Sequence, residues 1–318
     1  MIDVQRLRVL RAVAEHGSFN RAATALHLTP SAVSQHVAAL ERSLGTLVVD
    51  RSTRGVTLTP AGRIMFGAAE SVAAELEHAR RQVSQLDTGR VQLTVATFTS
   101  GGRLLLPAAF SRLMATHPET VLHVREGEPE DTLPLVRQGA VDLALAYHFD
   151  GPLPVGPGGG AGLEWTPLLA DPLHVVLPQG HRLAGHEALD LAELAGEPWV
   201  LGCLKTEAYL RRYAERAGFD PDVRGTTTDY FFARSLVAAG VGISLIPSIA
   251  LTPEIPGLCT APITSPGPVR HIGVATLGRG DRPHVARLVH ALREEAGLTG
   301  DQPGELRKPP AAARRPAT

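Results

Sequence analysis

Nothing in the chain narrows its possible folds as much as residues 19–44, FNRAATALHLTPSAVSQHVAALERSL. Ser18, following Gly17, is a good N-cap for a short helix carrying Ala22, Ala23 and Leu26. His27 and Leu28 make a tight turn, and Thr29 can cap a second helix with Pro30 at its first position. In that helix Val33, Val37, Leu40 and Leu44 fall on one stripe. The opposite face shows Ser31, Ser34, Gln35 and Ala38, small or uncharged groups that can enter a major groove and hydrogen-bond base edges. The spacing predicts a helix-turn-helix; an ordinary pair of amphipathic helices is the competing reading. The segment RSTRGVTLTP (51–60) favours the former, because it reads as a hairpin turning at Gly55 with Arg51 and Arg54 placed to meet phosphate. A helix-turn-helix followed by a basic hairpin is a winged helix.

Residues 17–62, GSFNRAATALHLTPSAVSQHVAALERSLGTLVVDRSTRGVTLTPAG, resemble the N-terminal domain of LysR-type transcriptional regulators without a gap. At the level of architecture the resemblance extends to about residue 297. It implies an α+β, multi-domain chain: a winged helix (1–59, with the helix-turn-helix at about 18–38), a dimerisation helix (60–88) and a two-lobed α/β effector domain (89–297) like a periplasmic binding protein. The partners it implies are double-stranded DNA with dyad symmetry, a small-molecule effector, and further copies of the chain forming dimers through 60–88 and then tetramers. No cofactor, metal or catalytic residue is implied. The DNA-binding residues are then Thr29, Pro30, Ser31, Ser34, Gln35, Arg51 and Arg54, with Ser31, Ser34 and Gln35 expected on bases and Arg51 and Arg54 on phosphate. Two features depart from the family pattern. Pro30 and Gln35 stand where many members carry Gln and a basic residue, and Val49 replaces the usual Phe. The operator sequence therefore does not transfer from relatives.

Charge supports this division. The formal net charge is −1 over 318 residues. Residues 1–62 hold seven arginines against four acids, so the basic excess sits at the DNA-binding end. Cys203 and Cys259 are the only cysteines. They provide no disulfide framework or metal spacing, and buried structural thiols are preferred over a redox pair. Asp3, Arg6, Arg8 and Arg11 interrupt any N-terminal apolar run, and 236–251 is broken by glycines and Pro247. A soluble cytoplasmic protein is expected.

Along the chain, a first helix is expected over about Val4–His16, capped by Asp3, with Leu7, Leu10, Val13 and Ala14 inward. A long helix follows from about Ala61 to Leu86. Its Met65, Ala69, Val72, Leu76, Ala79, Val83 and Leu86 alternate steps of four and three, a coiled-coil seam. About 26 residues make a rod of about 40 Å, too long for a small winged helix to cover. From Val91 strands and helices alternate: strands at 91–97, 121–126 and 141–147, helices at 101–115 and 129–138. That is βαβ order and a parallel sheet. The glycine-rich stretch 151–162 reads as a connector, and a second lobe is expected from about 163 to 265. A strand at 269–276 and a helix at 283–296 return to the first lobe (about 91–162 and 266–297). The Pro-, Ala- and Arg-rich tail, 298–318, reads as disordered.

Ligands of open α/β lobes sit beyond the carboxyl ends of strands, where helix N-termini offer N–H groups. Four such junctions stand out: Thr97–Gly101, Gly127-Glu128, Gly202-Cys203 and Thr226–Asp229. The family resemblance places the effector at the first and last of these. The candidate contacts are therefore Thr97, Thr99, Ser100, Glu128, Cys203, Thr226 and Thr228, each of which has helix capping as its ordinary alternative. Glu128 at the mouth disfavours an anion, which leaves an amine-bearing effector or a solvent-facing carboxylate open. Catalytic motifs are missing: there is no Gly-x-Ser-x-Gly, P-loop or His-Glu-x-x-His. His181 and His186 make a weak metal signal in a loop. Two alternatives remain: a regulator that ignores ligands and uses the α/β part for assembly, and a solute-binding protein or enzyme with an accessory helical domain.

Overall fold

The computed structural model describes residues 2–52, 55–86, 89–149, 163–264, 267–278 and 282–300. Arg54, the connector at 151–162 and the tail beyond 300 lie outside the described residues, and so does the Leu86 side chain.

The N-terminal domain follows its capping signals. Helix α1 (Val4–His16) begins with the Asp3 carboxylate accepting from the Arg6 N–H at 2.9 Å and ends at Gly17 in the left-handed region. Leu7, Leu10 and Val13 are buried as expected, together with Ala12; Ala14 is only half-buried. Helix α2 (Phe19–Leu26) is capped by Ser18, and His27 turns the chain with a φ of 55°. Helix α3 (Pro30–Leu44) starts on Thr29, whose hydroxyl accepts from the Ala32 N–H at 3.2 Å. Val33, Val37 and Leu40 are fully buried against Val9, Leu10, Ala22 and Ala23.

Strands β1 (Val49–Ser52) and β2 (Gly55–Leu58) pair antiparallel, with Ser52 opposite Gly55. Gly55 thus opens the second strand, opposite Ser52. The Glu41 carboxylate accepts from the Val48 and Val49 N–H groups, and the Val56 N–H reaches the Gly17 carbonyl at 3.0 Å. These bonds fix the hairpin to the helices.

Helix α4 (Pro60–Leu86) leaves this domain. At Gly62 its backbone presses on the Val48 carbonyl so closely that a Cβ would come within 1.9 Å of that oxygen. The expected seam is corrected over its first turns. Met65 packs into the winged-helix core and Ala69 is buried, because α4 lies across α1 there. Leu76, Ala79 and Val83 are exposed, and so is Ile64, which the seam reading omitted. Only the distal part of the stripe is free for a partner.

The remaining chain forms two lobes. In lobe I, β3 (Val91–Thr97) pairs in parallel with β4 (Thr120–Glu126) and β5 (Leu143–His148), connected by α5 (Thr99–Thr116) and α6 (Pro129–Arg137). Lobe II contains β7 (Pro198–Leu201), α7 (Leu204–Arg216), β8 (Asp222–Thr226), α8 (Tyr230–Ala238), β9 (Ser244–Pro247) and β10 (Leu258–Pro262). Strand β11 (Val269–Leu277) and helix α9 (Pro283–Gly300) complete lobe I. The expected lobe boundary at 163 is also corrected. Strand β6 (Leu163–Pro178) runs on β11 from Leu163 to Pro172, in the lobe I sheet. It then continues without a break to pair with β9 and β10 in lobe II. One core gathers Leu105, Leu143, Leu145, Val274 and Leu292; the other gathers Leu173, Leu177, Trp199 and Leu245.

Candidate DNA-binding surface and interlobe cleft

On the outer face of the winged helix Thr29, Pro30, Ser31 and Gln35 are exposed and Ser34 is half-buried. The Thr29 and Ser31 hydroxyls lie 3.0 Å apart, closing the first turn of α3. Arg51 comes from the hairpin to this face. Its Nη2 donates to the Ser34 hydroxyl at 3.4 Å, and its guanidinium sits 4.1 Å above the centroid of the Phe19 ring. Cation–π contact holds the charge beside the recognition helix rather than free in solvent. The platform role of Phe19 was not readable from spacing, since it depends on how the hairpin folds back on α2. The structure therefore brings Thr29, Pro30, Ser31, Ser34, Gln35 and Arg51 onto one surface.

Between the lobes lies a cleft of about 280 Å³, counting its open mouth, lined by residues that include Phe98, Thr99, Ser100, Glu128, Cys203 and Thr228. Four helices begin at it. Phe98, Glu128, Cys203 and Asp229 are the N-cap residues of α5, α6, α7 and α8, and all four line the cleft. Each strand ends where its helix starts, so positive dipole ends converge on one space. Only Asp229 caps its helix with its own side chain, accepting from the Phe231 N–H at 2.8 Å. Gly202 is required at the floor, because a Cβ there would stand 2.4 Å from the Tyr230 ring.

Of the seven expected effector contacts, Thr99, Ser100, Glu128, Cys203 and Thr228 line the cleft. Thr97 and Thr226 do not. Thr97 is buried, with its hydroxyl donating to the Phe98 carbonyl, while Thr226 ends β8 on the exposed surface. A strand's last inward residue packs under the helix rather than into the space beyond it.

The sequence did not point to Tyr147, Tyr230 or Arg270. Arg270 lies beneath the cleft and donates from Nε and Nη2 to Asp171 Oδ2 at 3.0 and 2.7 Å, and from Nη2 to the Ser100 hydroxyl at 3.1 Å. Burial works against its charge, but the Asp171 carboxylate outweighs this and leaves its pKa raised. Asp171 also accepts from the Ile249 N–H at 3.1 Å. The rings of Phe98, Tyr147 and Tyr230 stand 5.0, 4.9 and 5.8 Å from the guanidinium. The Tyr147 hydroxyl donates to Glu128 Oε2 at 2.6 Å and lies 3.6 Å from Cys203 Sγ. Burial, reinforced by the neighbouring thiol and carboxylate, drives the Tyr147 phenol far above its ordinary range, so it stays protonated.

No group of three or more His, Cys, Asp or Glu side chains among the described residues is arranged to hold a metal ion. His181 pairs with Glu197, and His186 meets the Leu183 carbonyl. Cys259 lies on β10 against the Leu177 carbonyl and does not line the cleft. Among the described residues no helix is long and apolar enough to cross a membrane.

Comparison with known proteins agrees with this division. Residues 4–63 match the family described as "Bacterial regulatory helix-turn-helix protein, lysR family", and residues 86–297 match "LysR substrate binding domain". The chain is 32% identical over 310 residues to a "Probable hydrogen peroxide-inducible genes activator" of Streptomyces viridosporus, covering 92% of this chain and 94% of that one. It is 29% identical to the Escherichia coli "DNA-binding transcriptional dual regulator OxyR", covering 92% and 95%. Among solved structures it is similar to a Corynebacterium glutamicum OxyR mutant with hydrogen peroxide bound, at 26% identity and a TM-score of 0.56, covering 95% and 97%.

Proposed function

The chain belongs to the LysR family of bacterial regulators and is a DNA-binding transcriptional regulator; on that premise we propose that a small molecule in the interlobe cleft sets its activity. The observation that carries this reading is the convergence of four helix N-termini on a cleft at the point where β6 passes between the lobes. A ligand there touches both lobes and shifts their relative population by binding one arrangement better than the other. Thr99, Ser100, Glu128, Cys203 and Thr228 are the contacts in this reading.

At the other end, Ser31, Ser34 and Gln35 read bases, Thr29 and Pro30 stand beside them on the DNA-binding face, and Arg51 and Arg54 hold phosphate. Two copies joined along Leu76, Ala79 and Val83 place two recognition helices on an inverted repeat, and pairs of dimers form the tetramer. The reading contains no catalytic step, and it places the protein with the chromosome in the cytoplasm. Selection of bound duplexes from a random DNA pool tests the DNA half. A dyad-symmetric site is expected; binding without a motif that vanishes as salt rises leaves only general phosphate attraction. Thermal shift against a metabolite panel tests the cleft.

A second reading is favoured by Cys203. Its thiol lines the cleft at the start of α7, and one relative named above is described as a "Probable hydrogen peroxide-inducible genes activator". In this reading peroxide oxidises Cys203 to the sulfenic acid, releasing water. Dimedone labelling of Cys203 after peroxide treatment is the expected signature, lost in Cys203→Ser.

A further inference from the structure

An ammonium group of the chain's own stands against Glu128, which lines the cleft. Lys205 Nζ stands 3.2 Å from Glu128 Oε2 and 5.4 Å from the centroid of the Tyr147 ring. Carboxylate and aromatic face together make a subsite for a protonated amine. Lys205 holds that place loosely. Its side chain is 30% exposed and that of Glu128 41%, and an ion pair open to solvent contributes little. It is also paired with Glu130, so it keeps a counter-ion if it leaves Glu128. Lys205 and Lys308 are the only lysines in a chain otherwise supplied with arginine. A point charge on a flexible stem can withdraw where a guanidinium fork would lock.

The opposite wall has different chemistry. Here α5 and α8 begin, bringing Ser100 and Thr228 to the cleft. Ser100 accepts from Arg270 and keeps its own proton to donate. Arg270 is neutralised by Asp171, so this wall receives an anionic group through dipoles and hydroxyls rather than through an uncompensated cation. A lone carboxylate would meet Glu128 unbalanced, and a lone amine would leave unanswered the N-terminus of α5, which has no side-chain cap, whereas Asp229 already caps α8. A molecule with both charges suits both walls. The enclosed part of the cleft is small, which restricts the ligand to few heavy atoms.

Building on the reading of the cleft as an effector site, we propose that the effector is a short zwitterion of amino-acid type, whose ammonium displaces Lys205 from Glu128 while its carboxylate faces Ser100 and Thr228. Glu128 belongs to lobe I and Lys205 to lobe II, so the exchange replaces a bridge between the lobes with a ligand. Charge stays balanced throughout: the ligand ammonium on Glu128, Lys205 on Glu130.

Thermal shift and titration calorimetry on the full chain test this, with glycine, β-alanine and 4-aminobutyrate as probes of increasing charge separation, and acetate and ethylamine as single-charge controls. At least one zwitterion is expected to raise the Tm where neither control does. Glu128→Gln should weaken that probe about tenfold to a hundredfold, as loss of a charged hydrogen bond does. Lys205→Met should tighten it by removing the competitor, and this variant keeps the test open if Glu128→Gln misfolds. Zwitterion binding indifferent to both substitutions overturns the proposal. Stabilisation by acetate or neutral compounds that depends on Ser100 but not on Glu128 overturns the ligand class and leaves the effector reading standing. Silence across these probes and a wider metabolite panel removes both.

Discussion

Arg270 and Asp171 face each other on adjacent strands, guanidinium against carboxylate at 2.7 Å, with side chains only 1% and 0% exposed. Such a pair is costly to break, because removing one partner strands the other as a buried charge. Asp171→Ala should destabilise the protein by about 3–5 kcal/mol. The double variant Asp171→Leu/Arg270→Met should recover most of that loss. Urea unfolding of the three proteins measures it, and equal losses in the single and double variants would show that packing, not charge, is responsible.

The DNA-binding face separates base reading from phosphate attachment. Gln35→Ala should change the sequence recovered from a random pool while leaving the salt dependence close to that of the parent. Arg51→Ala should weaken all duplexes and reduce the salt slope by about one. Since Arg51 is held over Phe19, Phe19→Leu should reproduce part of the second effect without altering charge. Sequence-blind losses in all three variants would contradict base reading by Gln35.

Along α4 the exposed stripe offers a test of assembly. Leu76 and Val83 are 54% and 65% exposed. Replacing both with Arg places like charges on a two-fold seam and should lower the measured mass in sedimentation to that of a smaller species. Met65→Ala, on the side turned to the winged helix, should reduce thermal stability by about 2 kcal/mol or more without changing the mass.

Acid should loosen lobe II through His174. Burial lowers its pKa from the ordinary value, and its Nδ1 lies 3.1 Å from the Ser248 hydroxyl. A histidine with a depressed folded pKa contributes stability that is complete above its unfolded value of about 6.5 and is lost as pH falls through the folded value. The Tm should therefore decline from about pH 6.5 downward. His174→Gln should flatten that decline, and an unchanged slope would assign it to other groups.

The sequence spoke clearly wherever structure depends on neighbours a few residues apart. Asp3, Ser18 and Thr29 cap their helices as read, and the junctions before α5, α6, α7 and α8 were visible as strands running directly into helix starts. What escaped depends on distant pairing. Asp171 and Arg270 are 99 positions apart, and neither carries a local sign that it will be buried. Met65 and Ala69 fit a seam by spacing, but spacing does not tell which neighbour a helical stripe will meet; α1 reaches them first. Thr97 fell on the wrong side of a strand end by one residue, which is enough to reverse the direction of its side chain.

Strand β6 is shared by both halves of the effector domain, first on β11 and then on β9 and β10. A change of angle between the halves is therefore absorbed as torsion along a hydrogen-bonded ribbon instead of swinging on two slack tethers. The register shift opposite Ile272 and Gly273 gives that ribbon a place to yield. The Arg81–Asp142 ion pair ties lobe I to α4, the rod that leaves the winged helix.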